Sequence, residues 1–251
     1  MPLQLRTVYD LMADYRLPSG RSFELHPDEV DILTKVGEVE DSNPVTKQLR
    51  ERAVVLKSLD GEELPQGQRG LALVEQLSEA DALFIGLAWH VIVNGGHIKF
   101  PQPVPCPSCS SPIKELDLSL IKCSCTTLEE SQQFVQVEGA DLSAVGLDGA
   151  QGLYIRPSTF RAVRSMVASK HWTNEMLISV ARARAGLFKR TSGGDMAPVP
   201  LAVTAKWRSA QIRKVIDALE LLPAVSKTVE FRCSACGESF EVPFDGAGLR
   251  D

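Results

Sequence analysis

Aromatic residues are scarce, at 6% of the chain with three Trp and three Tyr, and histidine occurs only four times. Proteins that hold single-stranded nucleic acid lean on stacked rings, so this poverty counts against that class. The formal net charge of −5 likewise counts against a general nucleic-acid-coating protein. A long apolar run is missing as well. The most hydrophobic stretch, Ala80 to Val93, has 14 residues and is interrupted by Asp81 and His90, whereas a membrane span needs about 20. It reads as a buried helix. The opening residues, MPLQLRTVYDLMADYRLPSG, contain no apolar segment of the secretion-signal kind. There is no Gly-x-Ser-x-Gly, Walker loop, dinucleotide-binding glycine motif or His-Glu-x-x-His, no recognisable Ser-His-Asp set, and no acidic pair in an apolar context. These absences point to a protein without catalytic machinery, kept in a reducing cytoplasm. There, six cysteines are better explained as metal ligands than as disulfides.

What is present suffices for a packed core: 251 residues, 44% hydrophobic and 24% charged, a length that fits one or two domains of roughly 150 residues. The expected class is α+β, with helical N- and C-terminal parts and small β zinc-ribbon-like knuckles. Residues 1–96 read as mainly helical, 97–156 as a cysteine-containing β region, 157–225 as a basic helical part, and 226–251 as a cysteine-knuckle hairpin packing back on the β region. A turn at Pro18-Ser19-Gly20, a strand at Ser22–Leu25 and a helix opening at His26-Pro27-Asp28-Glu29 come first. A helix from Ser42-Asn43-Pro44 to about Lys57 follows, then a polar loop over 58–67. The clearest helix starts at Ser78, where Ser78 and Asp81 resemble a capping box, and ends at Gly95-Gly96. His90 within it reads as a satisfied core residue. Residues 138–156 look like an extended connector. Helices are expected over 158–169, 173–189 and 205–222, with a mobile loop at 191–200 and closing strands at 228–232 and 239–244.

Charge is unevenly spread. Arg161 to Lys214 holds eleven Lys/Arg against two acidic residues, a balance of +9, while the other 197 residues hold sixteen basic and thirty acidic, a balance of −14. This segment reads either as a basic face packed on the acidic half or as a docking face for an acidic partner.

Cys106-Pro-Ser-Cys109 and Cys233-Ser-Ala-Cys236-Gly237 carry the chemistry. Two residues between cysteines let both thiolates face one ion, and a following glycine permits the left-handed turn that completes a knuckle. Each lies between strand-like segments, and the two resemble each other as a weak internal repeat. Cys123 and Cys125 follow, separated by a single residue. Three assignments stand open. A local zinc site would use Cys106, Cys109, Cys123 and Cys125, and a split site Cys106, Cys109, Cys233 and Cys236. In the third, the cysteines are free thiols or disulfides. A site of four cysteines is closed, hence structural. His97 and His171 are substitute ligands without ligand-like spacing. A redox role for the CxxC pairs lacks the surrounding βαβ pattern.

LPSGRSFELHPDEVDIL, then DALFIGLAWHVIVNGGHIKF followed by CPSC and LDLSLI, and finally FRCSACGESFEVPF resemble in order the segments of the baseplate hub assembly chaperones of T-even-type contractile phage tails. Cys123 and Cys125 lie outside the resembling pattern. The resemblance implies a virion-assembly role without catalysis, as adaptor, chaperone or minor component of the baseplate hub. Its partners would be hub or tail proteins, and its place the host cytoplasm or the particle's baseplate. The competing expectation is a zinc-ribbon nucleic-acid-binding or transcription-related module.

Overall fold

The computed structural model describes residues 3–27, 29–40, 44–166, 175–226 and 228–243. In chain order, β1 (Gln4–Thr7), α1 (Val8–Ala13), β2 (Phe23–Leu25), α2 (Val30–Gly37), α3 (Pro44–Val55), β3 (Leu56–Leu59), β4 (Glu62–Glu63), α4 (Gln68–Val74) and α5 (Glu79–Asn94) come first. Next are β5 (His97–Pro105), β6 (Pro112–Asp117), a 3-10 turn at Leu118–Leu120, β7 (Lys122–Cys125), α6 (Leu128–Ser131), β8 (Val135–Gln136) and β9 (Gly152–Ile155). The rest is α7 (Phe160–Met166), α8 (Glu175–Ala185), β10 (Leu187–Arg190), β11 (Met196–Pro198), α9 (Leu201–Thr204), α10 (Ser209–Leu219), β12 (Ala224–Val225), β13 (Thr228–Arg232) and β14 (Ser239–Pro243). The class is mixed α and β, with ten α-helices and five small antiparallel sheets among the described residues. No helix among them is long and apolar enough to cross a membrane.

α5 organises the first core. Ser78 caps it by accepting the Asp81 amide, and Gly95 closes it in the left-handed conformation. Phe84, Ile85, Leu87 and Ala88 are fully buried, packed with Leu11, Leu17, Leu49, Leu56, Leu116, Leu118, Ile121 and Cys123. The capping box is half formed. The Asp81 carboxylate turns away from the cap and accepts the Ser19 amide at 3.0 Å, tying the Pro18-Ser19-Gly20 turn to the helix start. Gly20 completes that turn at φ +82°, with its α-carbon pressed so close to the Thr127 backbone that no side chain fits. His90 is satisfied as expected, within reach of the His97 carbonyl at 3.2 Å and the Asn94 amide at 3.0 Å. Gly86 leaves room for the buried Arg52 guanidinium, which donates to the Ala82 carbonyl at 2.6 Å.

This core does not stop near residue 96. It takes in residues of β6, β7, β12 and β13, including Leu116, Cys125, Val225 and Val229. A second core, from Val137 to Leu222, joins Leu153, Ile155 and Leu187 of the sheet β11-β10-β9-β8 to Val215 and Ala218 of α10.

Several sequence expectations need correction. Leu56–Leu59, read as the end of a helix and a loop, is a strand: Asp60 (φ 53°) and Gly61 (φ 81°) both turn left-handed and fold β3 onto β4. The connector at 138–156 ends in β9, whose buried residues anchor the second core. The helix expected to reach Lys189 stops at Ala185, and Leu187–Arg190 pairs with β9 and β11. The loop at 191–200 is a hairpin turn, closed by the Thr191 amide on the Asp195 carbonyl at 2.8 Å, followed by β11. The helix expected over 205–222 is the shorter α10, Ser209–Leu219, and a separate short helix, α9, precedes the expected start. Asp28, Ser42, Asn43, His171, Thr173 and Phe244 lie outside the described residues.

Burial pushes the Asp81 carboxyl above its ordinary 3.8, against the Ser19 amide that favours its ionised form. A raised native pKa means that stability is lost as pH rises from the unfolded value through the native one. Asp81→Asn keeps an oxygen for Ser19 and removes the charge. In urea titrations its stability relative to wild type should improve between pH 4 and pH 8, whereas Asp81→Ala, which strands the Ser19 amide, should cost about 1–3 kcal/mol.

Candidate metal centre

Both CxxC segments form the tip of a β-hairpin, β5–β6 for the first and β13–β14 for the second. The two tips are built alike. The Cys106 amide donates to the Ser111 carbonyl at 2.9 Å and the Ser110 amide to the Cys106 carbonyl at 2.9 Å; the Cys233 amide donates to Glu238 and the Gly237 amide to Cys233, both at 2.8 Å. The residue after the second cysteine is left-handed in each, Ser110 at φ 60° and Gly237 at φ 77°. The repeat seen in sequence is therefore a repeat of backbone, with serine tolerating at the first tip a conformation for which the second uses glycine.

The chain brings the tips together through β12. After α10 it crosses back, pairs Val225 with Cys123 of β7, and continues directly into β13. Val229 and the partly buried Phe231 anchor this second hairpin on the first core. Cys106, Cys109, Cys233 and Cys236 then converge, their sulfurs all within 4.8 Å of one another. Cys106 Sγ lies 3.7 Å from Cys236 Sγ, and Cys109 Sγ lies 3.6 Å from Cys233 Sγ. A zinc ion with about 2.3 Å bonds to four sulfurs sets them on a tetrahedron with edges of about 3.8 Å; a disulfide needs about 2.05 Å. The spacing suits four ligands around one ion and not two bonds. In each tip the first cysteine is buried and the second exposed.

Electrostatics of the bare thiols point the same way. Donation from the Ser111 side chain and amide favours the Cys109 thiolate and brings its pKa down to about 6. The Glu238 amide favours a Cys236 thiolate, yet hydrogen bonding among Cys109, Cys233 and Cys106 prevails and pushes that thiol up to about 12. One negative charge is accommodated and a further one is resisted. A divalent cation reverses that balance.

Of the six cysteines expected as ligands, the structure gathers these four and leaves out two. Cys123 and Cys125 point to one side of β7, the middle strand between β1 and β12, and are buried in the first core. Burial pushes them up to about 12 and about 11, so they behave as small apolar residues. The local set of Cys106, Cys109, Cys123 and Cys125 is not assembled. His97 sits beside the cluster in a cleft shared with Ser111, Phe231 and Cys233, without joining it. The basic segment turns partly inward: Arg182 pairs with Glu79 and Arg161 with Glu75, at 3.8 Å in the latter case.

No protein family, curated protein or solved structure matches the chain.

Two outcomes are expected. Wild-type protein should bind one metal ion per chain; Cys233→Ser should lose it and Cys123→Ala should keep it, as read by elemental analysis after gel filtration. In urea unfolding of the metal-loaded protein, Gly237→Ala should cost about 1 kcal/mol, because a side chain at φ 77° is strained. Ser110→Gly should be neutral or stabilising by up to about 1 kcal/mol.

Proposed function

We propose that this chain is a non-catalytic assembly protein of the baseplate hub of a contractile phage tail or related injection system, with a structural zinc ion clamping its C-terminal hairpin to the β5–β6 hairpin as in a zinc ribbon. The metal reading is carried by one observation: four cysteines from two matched hairpin tips, with sulfur spacings close to a tetrahedral edge. A tetrahedral four-sulfur set takes zinc or iron; zinc, which has no redox chemistry, suits a clamp. Four protein ligands fill the coordination shell and leave no position for substrate or activated water, which supports a structural role. Cys106, Cys109, Cys233 and Cys236 would hold the ion.

The assembly reading rests on the sequence resemblance and places the protein in the host cytoplasm or in the particle's baseplate, with hub or tail proteins as partners. The alternative, a zinc-ribbon nucleic-acid-binding or transcription-related module, would rest on the two cysteine knuckles and the basic segment, and the pairing of Arg161 and Arg182 with Glu75 and Glu79 takes part of that charge out of play.

Purification from producing cells, with the bound proteins identified by mass spectrometry, tests the role. Hub or tail proteins should accompany wild type and be reduced with Cys233→Ser. Nucleic acid recovered without any tail protein supports the alternative instead. Absorption in the visible range from iron–thiolate bonds would replace zinc by iron without touching the clamp.

A further inference from the structure

The sheet β11-β10-β9-β8 has two unlike faces. Leu153, Ile155 and Leu187 enter the second core. On the other face Tyr154 stands between Gln136 and Phe188, and Arg190 lies opposite Gly152. Phe134 precedes β8 and Arg156 follows β9 on the same side. The Arg156 guanidinium lies 4.5 Å from the Phe188 ring centre and 5.6 Å from that of Phe134. Those two rings meet edge to face at 4.9 Å. Arg190 lies 5.0 Å over Tyr154, and a side chain at position 152 would meet that ring at 2.8 Å, so the bare glycine is what lets it lie across the strand. The rings are half-buried and both arginines are exposed. Neither guanidinium has a carboxylate partner among the described residues.

A guanidinium seated over a ring is held in place by it with N–H groups left to donate, and the guanidinium fork matches a carboxylate in bidentate fashion. We propose that this face docks an acidic polypeptide segment, whose Asp or Glu carboxylates are received by Arg156 and Arg190. Nucleobases are a poorer fit, since they need open ring faces and here the guanidinia already lie over Phe134, Phe188 and Tyr154. The net charge of −5 also opposes a polyanion more than a short peptide. The site shares no residue with the metal centre, so it stands or falls separately from the clamp.

Fluorescence anisotropy on the full chain tests it, with a labelled peptide of alternating glutamate and serine, its glutamine counterpart, and single-stranded oligothymidylate as probes. The glutamate peptide should bind and weaken with salt, and the glutamine peptide should not bind. Arg156→Gln with Arg190→Gln should weaken binding about tenfold or more, with metal content and near-ultraviolet circular dichroism unchanged. Arg156→Lys should also weaken it, since an ammonium lacks the fork. Arg213→Gln, exposed on α10, should have no effect. Equal binding of the two peptides, affinity unmoved in the double variant, or tighter binding of the oligothymidylate would overturn the proposal, the last by making the face a nucleic-acid platform.

Discussion

Four sulfurs from segments 124 and 130 residues apart converge within 4.8 Å, and the placement of the C-terminal hairpin answers to that convergence. Bare thiols have little reason to gather so closely, and ionised ones repel. Ser111 donation brings Cys109 down to about 6, while hydrogen bonding to the neighbouring thiols and burial push Cys236 up to about 12, so the bare cluster favours one thiolate and not two. A cation turns the same arrangement from a liability into a crosslink. Because its ligands are far apart in sequence, such a crosslink closes a long loop. Its binding free energy then contributes to folding directly.

The cysteine cluster is supported at both tips by ordinary backbone hydrogen bonds and by the β1-β7-β12 sheet behind it. Cys123 and Cys125 find their place here. They stand outside the cluster and form the buried side of the strand on which β12 docks, shortly before the hairpin that carries Cys233 and Cys236. Arg182 to Glu79 and Arg161 to Glu75 add a second set of ties, between helices of the C-terminal half and the region around the start of α5. Two of the eleven basic residues of the segment are thereby paired within the molecule, while Arg156 and Arg190 on the β11-β10-β9-β8 sheet have no carboxylate partner among the described residues.

Some of this was legible in the residues. The start and end of α5 were, because Ser78 is a strong start signal and Gly95 a strong stop signal, each acting at a helix end whose backbone groups lack intrahelical partners. The two knuckles were, because their chemistry is local. Which four cysteines converge was not, since spacing along a chain carries no information on a contact made by β12. The available clue was likeness: Cys106–Ser111 and Cys233–Glu238 share one pattern, and Cys123-Ser-Cys125 does not. β3, β9 and β10 were hidden for another reason. Four-residue segments such as GLYI and LFKR, placed against helical neighbours, become strands through pairing with distant segments rather than through any periodicity of their own. Asp60-Gly61 was readable as a hairpin turn and marks where the helix reading went wrong.

The central claim is the four-sulfur shell that joins the two hairpins. X-ray absorption at the zinc edge on protein purified under reducing conditions reads that shell directly. Four sulfurs at about 2.3 Å, retained in Cys123→Ala, agree with the clamp. Nitrogen or oxygen in the first shell of the wild-type protein, or a shell that changes when Cys123 is replaced and not when Cys233 is, contradicts it.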